Sequence, residues 1–302
     1  MFVTPDGQLA AQSRAAQARR QRAHKTGGAG NGGNKIPLHK TIDTLLAELK
    51  KARPGNWGIE DGGIGKYITY FGLPVVMINN ALKIHDLHGR IVRDGEKPLQ
   101  LKIDNGDGVQ FASEEAITQM VPILLKLVPP VAFLIDELNS LSPNEAKWEV
   151  SNNGEGIRLA MNRVNHFALS GSEVLTLNGT KIAELKPNRD DAELKIVAER
   201  LLGCLALTRA LNSLKQLKPG LWSISSSDNG DLYSITHKPE KELRWGYSPH
   251  HAVYFVVNGE NKVKTRDGRE TGVQLVTNGT GGLKLADPDE TALILSDLTP
   301  TR

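Results

Sequence analysis

A chain of 302 residues, 39% of them hydrophobic and 24% charged, holds enough apolar material for one sizeable core or two or three small ones. Its net charge of +3 is unevenly placed: residues 1–40 carry seven Lys or Arg against Asp6, a balance of +6, so residues 41–302 sum to −3. The single cysteine, Cys204, excludes an internal disulfide framework and points to a reducing, cytoplasmic setting. No apolar run approaches the roughly 18 residues that span a bilayer, and no apolar signal core opens the chain, so no membrane partner is expected.

Residues 8–25, rich in Ala and Gln, hold Arg14, Arg19, Arg20, Arg22 and Lys25. Such a segment forms a marginal helix at best, because it lacks an apolar stripe to dock. The glycine-rich stretch 26–34 reads as a flexible linker; it has neither the preceding apolar strand nor the Gly-Lys-Ser/Thr ending of a phosphate-binding loop. Residues 1–40 are therefore expected to be a basic arm that meets nucleic acid or an acidic protein surface.

Beyond the arm one pattern recurs. Leu46-x-x-Leu49 is followed by Pro54, Gly55, Trp57 and Ile59; Leu138-x-x-Leu141 by Pro143, Trp148 and Val150; Leu211-x-x-Leu214 by Pro219, Gly220, Trp222 and Ile224. The leucine pair marks one face of a short helix, Pro and Gly end it, and Trp-x-Ile/Val starts a strand whose alternate residues point inward. Glycine-rich turns follow, then acid pairs that open a further helix at Glu114-Glu115, Asp190-Asp191 and Asp289-Glu290. Arg93-Asp94-Gly95 and Arg266-Asp267-Gly268 each precede an Asn-Gly by twelve residues, which suggests that these hairpins correspond. The fold expected is α+β: tandem copies of a small antiparallel hairpin-sheet module with flanking helices, behind the arm. The boundaries read as 1–40 for the arm, 41–130 for the first copy, 131–205 for a shortened second and 206–302 for the third. A single helix from Asp190 to Leu217 can join the last two.

No catalytic constellation is present: there is no nucleophile elbow, no H-E-x-x-H and no informative carboxylate pair. His85 and His88, with His250 and His251 elsewhere, fall short of a zinc set, and Asp104-Asn105-Gly106-Asp107-Gly108 lacks the distal ligand of a calcium loop. No metal and no cofactor are expected. Cys204 sits in an apolar helical run and reads as a small buried hydrophobe. Trp57, Trp148 and Trp222 read as one core anchor per copy, the alternative being a stacking platform for bases or sugars. Arg244, Trp245 and Tyr247 lie in a stretch of the third copy that is eight residues longer than its counterpart in the first. An Arg-Trp-Tyr group on a lengthened loop is a candidate binding surface.

Hairpins closed by a short acid-capped helix resemble small phage and prophage accessory proteins, a resemblance that carries no functional residues. The expected function is that of a non-enzymatic binding or scaffold protein, phage or mobile-element encoded. The alternatives are a structural component of a viral particle and an enzyme with an unfamiliar site. Nucleic acid or an acidic surface is the expected partner through the arm, and a homo-oligomer or larger assembly is the expected state. The location follows as the cytoplasm of the cell or host, or the virion.

Overall fold

A computed structural model of the protein describes residues 38–104, 109–142, 147–152, 156–186, 191–226, 233–239, 252–279 and 282–299. Among them, five helices and several small antiparallel sheets make a mixed α+β fold. The chain divides into two compact units, Met1–Asp136 with Asn153–Gly156, and Glu137–Asn152 with Ile157–Arg302.

In the first unit, α1 (Leu38–Ala52) turns Ile42, Leu45 and Leu49 to one buried face, at the spacing an amphipathic helix needs. Strands β1 (Trp57–Gly62), β2 (Gly65–Tyr70), β3 (Leu73–Asn79) and β4 (Ile84–His85) follow as a meander in that order. Two short hairpins come next, β5–β6 (Arg93–Asp94, Lys97–Pro98) and β7–β8 (Lys102–Asp104, Val109–Phe111). Helix α2 (Glu114–Leu125) is capped by Ser113, whose hydroxyl accepts the Ala116 N–H at 3.3 Å. Helix α3 (Pro130–Leu141) leaves α2 at 92°, with Pro129 and Pro130 at the break. One buried cluster runs through Leu45, Trp57, Ile68, Val76, Leu101, Ile117 and Leu124 to Ala132.

The second unit holds two meanders. One is β9 (Trp148–Asn152), β10 (Ile157–Met161), β11 (Val164–Ser170), β12 (Glu173–Thr176) and β13 (Lys181–Glu184). The 27-residue helix α4 (Asp191–Leu217) leads to the other: β14 (Gly220–Ser226), β15 (Tyr233–Pro239), β16 (Ala252–Val257), β17 (Lys262–Thr265) and β18 (Glu270–Gln274). Hairpin β19–β20 (Val276–Gly279, Gly282–Leu285) and α5 (Pro288–Leu298) complete it, with Asp287 capping α5. α5 packs along α4. No single helix among the described residues is long and apolar enough to cross a membrane.

The three meanders share fine geometry. In each, the residue two past the Trp faces the residue just before a bulge: Ile59 opposite Ile68, Val150 opposite Leu159, Ile224 opposite Ile235. The bulges leave Val75, His166 and Tyr254 unpaired. A bulge adds one residue to one strand and increases local twist, so the same bulge at the same register bends each sheet in the same way. Trp57 Nε1 donates to the Arg53 carbonyl at 2.9 Å and Trp222 Nε1 to the Lys218 carbonyl at 3.0 Å, while the Arg53 and Lys218 amides close on Leu49 and Leu214. Pro54-Gly55 and Pro219-Gly220 both end in a glycine at positive φ, 154° and 144°. At Gly55 the Tyr70 ring lies where a Cβ would stand, so no larger residue fits.

The first and third sheets agree further. Asn79 Oδ1 accepts the Ala81 and Lys83 amides, and Asn258 Oδ1 accepts those of Glu260 and Lys262. The Leu101 amide bonds to Leu82 and the Ala112 amide to Leu101, just as Leu275 bonds to Asn261 and Ala286 to Leu275. The five-residue turns Asp86–Arg90, Thr176–Thr180 and Thr265–Arg269 have the same pair of backbone bonds and a fourth-position glycine at φ 80°, 86° and 86°.

These turns correct one sequence expectation. Arg266-Asp267-Gly268 belongs to the turn that matches Asp86–Arg90, whereas Arg93-Asp94-Gly95 sits in the β5–β6 hairpin, which the third sheet lacks. Asn178-Gly179 falls in the turn Thr176–Thr180, not in a final hairpin, and among the described residues the second sheet shows no counterpart of β7–β8. Asp-Gly and Asn-Gly recur because many tight turns need a positive φ, so shared dipeptides do not establish shared position.

Candidate functional site

The side chains most gathered by the fold surround the three tryptophans. Helix ends, the Trp strand and the bulge converge there. All three rings are buried, which overturns the stacking-platform alternative: a base or sugar cannot reach them. Trp57 packs on Tyr70 at 4.5 Å, Trp222 stacks on His237 at 4.2 Å and 22°, and Trp148 faces Phe167 at 6.3 Å. Tyr70, Met161 and His237 are the residues directly opposite the Trp in register.

In the first unit Tyr70 donates to Asp136 Oδ2 at 2.7 Å, with the Pro54 carbonyl 3.3 Å from its hydroxyl. Arg53 Nε reaches the same carboxylate oxygen at 3.4 Å and its guanidinium lies 4.5 Å over the Phe133 ring. Burial, and then the Asp136 hydrogen bond, push the Tyr70 phenol well above its usual range. It is a neutral donor, unsuited to act as base or nucleophile. In the third sheet His237 Nε2 lies 3.3 Å from the Pro219 carbonyl, the place Tyr70 takes beside Pro54. A carbonyl only accepts, so this nitrogen carries the proton. His166, the bulge residue of the second sheet, packs edge-on against Trp148 at 6.1 Å. Burial, then the Arg209 charge, hold its imidazole below the usual range.

His85 is likewise committed. Its Nδ1 donates to the Gly89 carbonyl at 3.0 Å, so in the neutral ring Nε2 accepts from Asn79 Nδ2 at 3.1 Å. Among the described residues no group of three or more His, Cys, Asp or Glu is placed to hold a metal ion. Cys204 is fully buried and its thiol is pushed up to about 12, chiefly by that burial. It should therefore stay unlabelled by a thiol reagent in the native protein at pH 8 and label fully in denaturant; rapid native labelling would contradict the packing. Because the unfolded thiol ionises near 9 while the folded one does not, Cys204 also contributes to a fall in stability as pH rises above 9.

Every residue that the sequence nominated for binding lies outside the described residues: Arg14, Arg19, Arg20, Arg22 and Lys25 of the arm, and Arg244, Trp245 and Tyr247. So do His250 and His251. The structure does show where the second group is inserted. The β2–β3 and β10–β11 turns are two residues each, Phe71-Gly72 and Asn162-Arg163, all at positive φ as type I′ hairpins require. The matching connection in the third sheet is residues 240–251, which leaves β15 two residues after His237 and enters β16 two residues before Tyr254. Sequence reasoning missed the residues opposite the tryptophans. The available signal was a large side chain at or near the end of the second strand, thirteen residues after Trp57 and Trp148 and fifteen after Trp222. The chain matches no known protein family, no curated protein and no solved structure.

Proposed function

We propose that the protein is a non-enzymatic binding scaffold: three tandem copies of one helix–meander–helix module carry a basic arm that contacts nucleic-acid phosphate. The observation behind the repeat is the common bulge between the second and third strands, next to the residue that faces the position two past the Trp in all three sheets. The observation behind the ligand is the charge division, +6 in residues 1–40 against −3 in the remainder. In this reading the sheet register and its bulge are alike in all three copies, the indole hydrogen bond is shared by the first and third, and connections such as 240–251 vary, where Arg244, Trp245 and Tyr247 form a second contact surface. That distribution is what a binding scaffold requires, since loops tolerate change that a sheet register does not.

Binding through six net charges follows counterion release. Log affinity should fall against log salt with a slope near −5, a loss of about a thousandfold between 50 and 200 mM. Fluorescence anisotropy with single- and double-stranded oligonucleotides checks this. Replacing Arg14, Arg19, Arg20, Arg22 and Lys25 together by glutamine leaves a balance of +1 in residues 1–40 and should reduce the slope to about −1. Binding with an unchanged slope in that variant, or no binding by the parent at low salt, would remove the arm from the account.

A further inference from the structure

Two polar atoms without partners meet at one corner of the second sheet. Four buried side-chain polar atoms among the described residues find no hydrogen-bond partner, and two of them are Trp148 Nε1 and His166 Nε2. Their rings lie edge to face, 6.1 Å apart and at 60°. The indoles of the first and third sheets are satisfied, since Trp57 and Trp222 donate to the Arg53 and Lys218 carbonyls. The bulge that places His166 holds Val75 in the first sheet and Tyr254 in the third, side chains that carry no charge near neutral pH. Trp148 stands on the edge strand β9, so its corner is held by the sheet on one side only.

We propose that His166 is a proton-sensitive latch: the neutral ring closes the Trp148 corner of the second sheet, and its protonation opens β9–β11 there. A neutral imidazole packs on the indole as an aromatic body. A second ring proton makes it a cation with a further donor, in a corner where Nε1 and Nε2 already lack acceptors. No carboxylate among the described residues offsets that charge. On α4, Arg209 is a like charge and opposes protonation. On β9 and β10, Glu149 and Arg158 alternate to the face opposite Trp148 and its partner Met161. On β12, Glu173 is taken by Lys181 at 2.7 Å, and Glu137 of α3 is engaged elsewhere. β11 itself has no other charged residue. The imidazole of the opened corner takes its proton near 6.5, and the closed one only at lower pH, because burial and then Arg209 disfavour the cation. The closed corner is therefore fully stable above pH 6.5 and loses stability as the pH falls below it. The bulge correspondence enters only through the choice of variants, and the latch is independent of the arm's ligand.

Amide hydrogen exchange read by nuclear magnetic resonance, on the full chain at pH 7.5 and 5.5 and corrected for the intrinsic pH dependence of exchange, tests it. The opening constant at the β9–β11 amides should rise by up to about tenfold at the lower pH, the limit for one group that takes its proton near 6.5 only when open. His166→Val and His166→Tyr, which install the residues of the other two bulges, should abolish that rise. The ring signals of His166 in the parent, a reading that needs no variant, should titrate below 6.5. The proposal is overturned if the parent opens equally at both pH values, if either folded variant keeps the rise, or if the ring titrates at or above 6.5.

Discussion

Replacing Trp57 or Trp222 by alanine should lower the stability of the unit that contains it by about 3–5 kcal/mol, the range for truncating a buried aromatic. Both rings are buried, packed on Tyr70 and His237, and hydrogen-bonded to the carbonyl of the residue four earlier. Each thus ties the end of a helix to the start of a strand. Phenylalanine separates the two contributions. Trp57→Phe and Trp222→Phe keep most of the apolar area but leave the Arg53 and Lys218 carbonyls without that donor, which should cost about 1–3 kcal/mol. Trp148 is the internal control. Its indole nitrogen is buried and finds no acceptor among the described residues, so Trp148→Phe should cost less than either. Urea unfolding followed by far-ultraviolet circular dichroism reads all of these. Equal costs for the three phenylalanine variants would mean that the indole bonds contribute nothing.

Gly203→Ala should destabilise the second unit by about 1–3 kcal/mol, although alanine is favoured over glycine in a helix interior by about 1 kcal/mol. The glycine lies mid-way along α4, where a Cβ would stand 2.1 Å from Asn261 Oδ1 and 2.7 Å from its Cγ. Asn261 cannot easily yield. It is buried, its backbone is at φ 59°, and its Nδ2 reaches the Glu199 carbonyl at 3.3 Å. Asn261→Gly opens the space and accepts the positive φ without strain, so the double variant should recover most of the loss. Stabilisation by Gly203→Ala alone would show that the helix and the β16–β17 connection are not in close contact.

What the sequence revealed is what short-range physics determines. The Leu-x-x-Leu faces, the Pro-Gly stops and the Trp strands sit where their spacing put them, because periodicity and helix termination act over a few residues. The long helix α4 was legible for the same reason. The bulges were not, since which residue goes unpaired depends on two strands at once: nothing in Phe71–Val75 alone marks Val75. The Asn79 and Asn258 turns escaped notice because asparagine is common in loops, and its role shows only when its oxygen is seen to collect two amides. The Arg-Asp-Gly match misled in the opposite sense, through a spacing that coincided across an added hairpin. As for the candidate site, the sequence read Trp57, Trp148 and Trp222 as core anchors, and all three are buried, but it could not show which residues face them across the sheet.

The central claim is that one module is present three times, and backbone nuclear Overhauser contacts test it most directly. Cross-strand contacts should pair Ile59 with Ile68, Val150 with Leu159 and Ile224 with Ile235, each followed at once by a bulge that leaves out Val75, His166 and Tyr254. Bulges at unrelated registers, or a Trp strand found inside its sheet rather than at the edge, would contradict it.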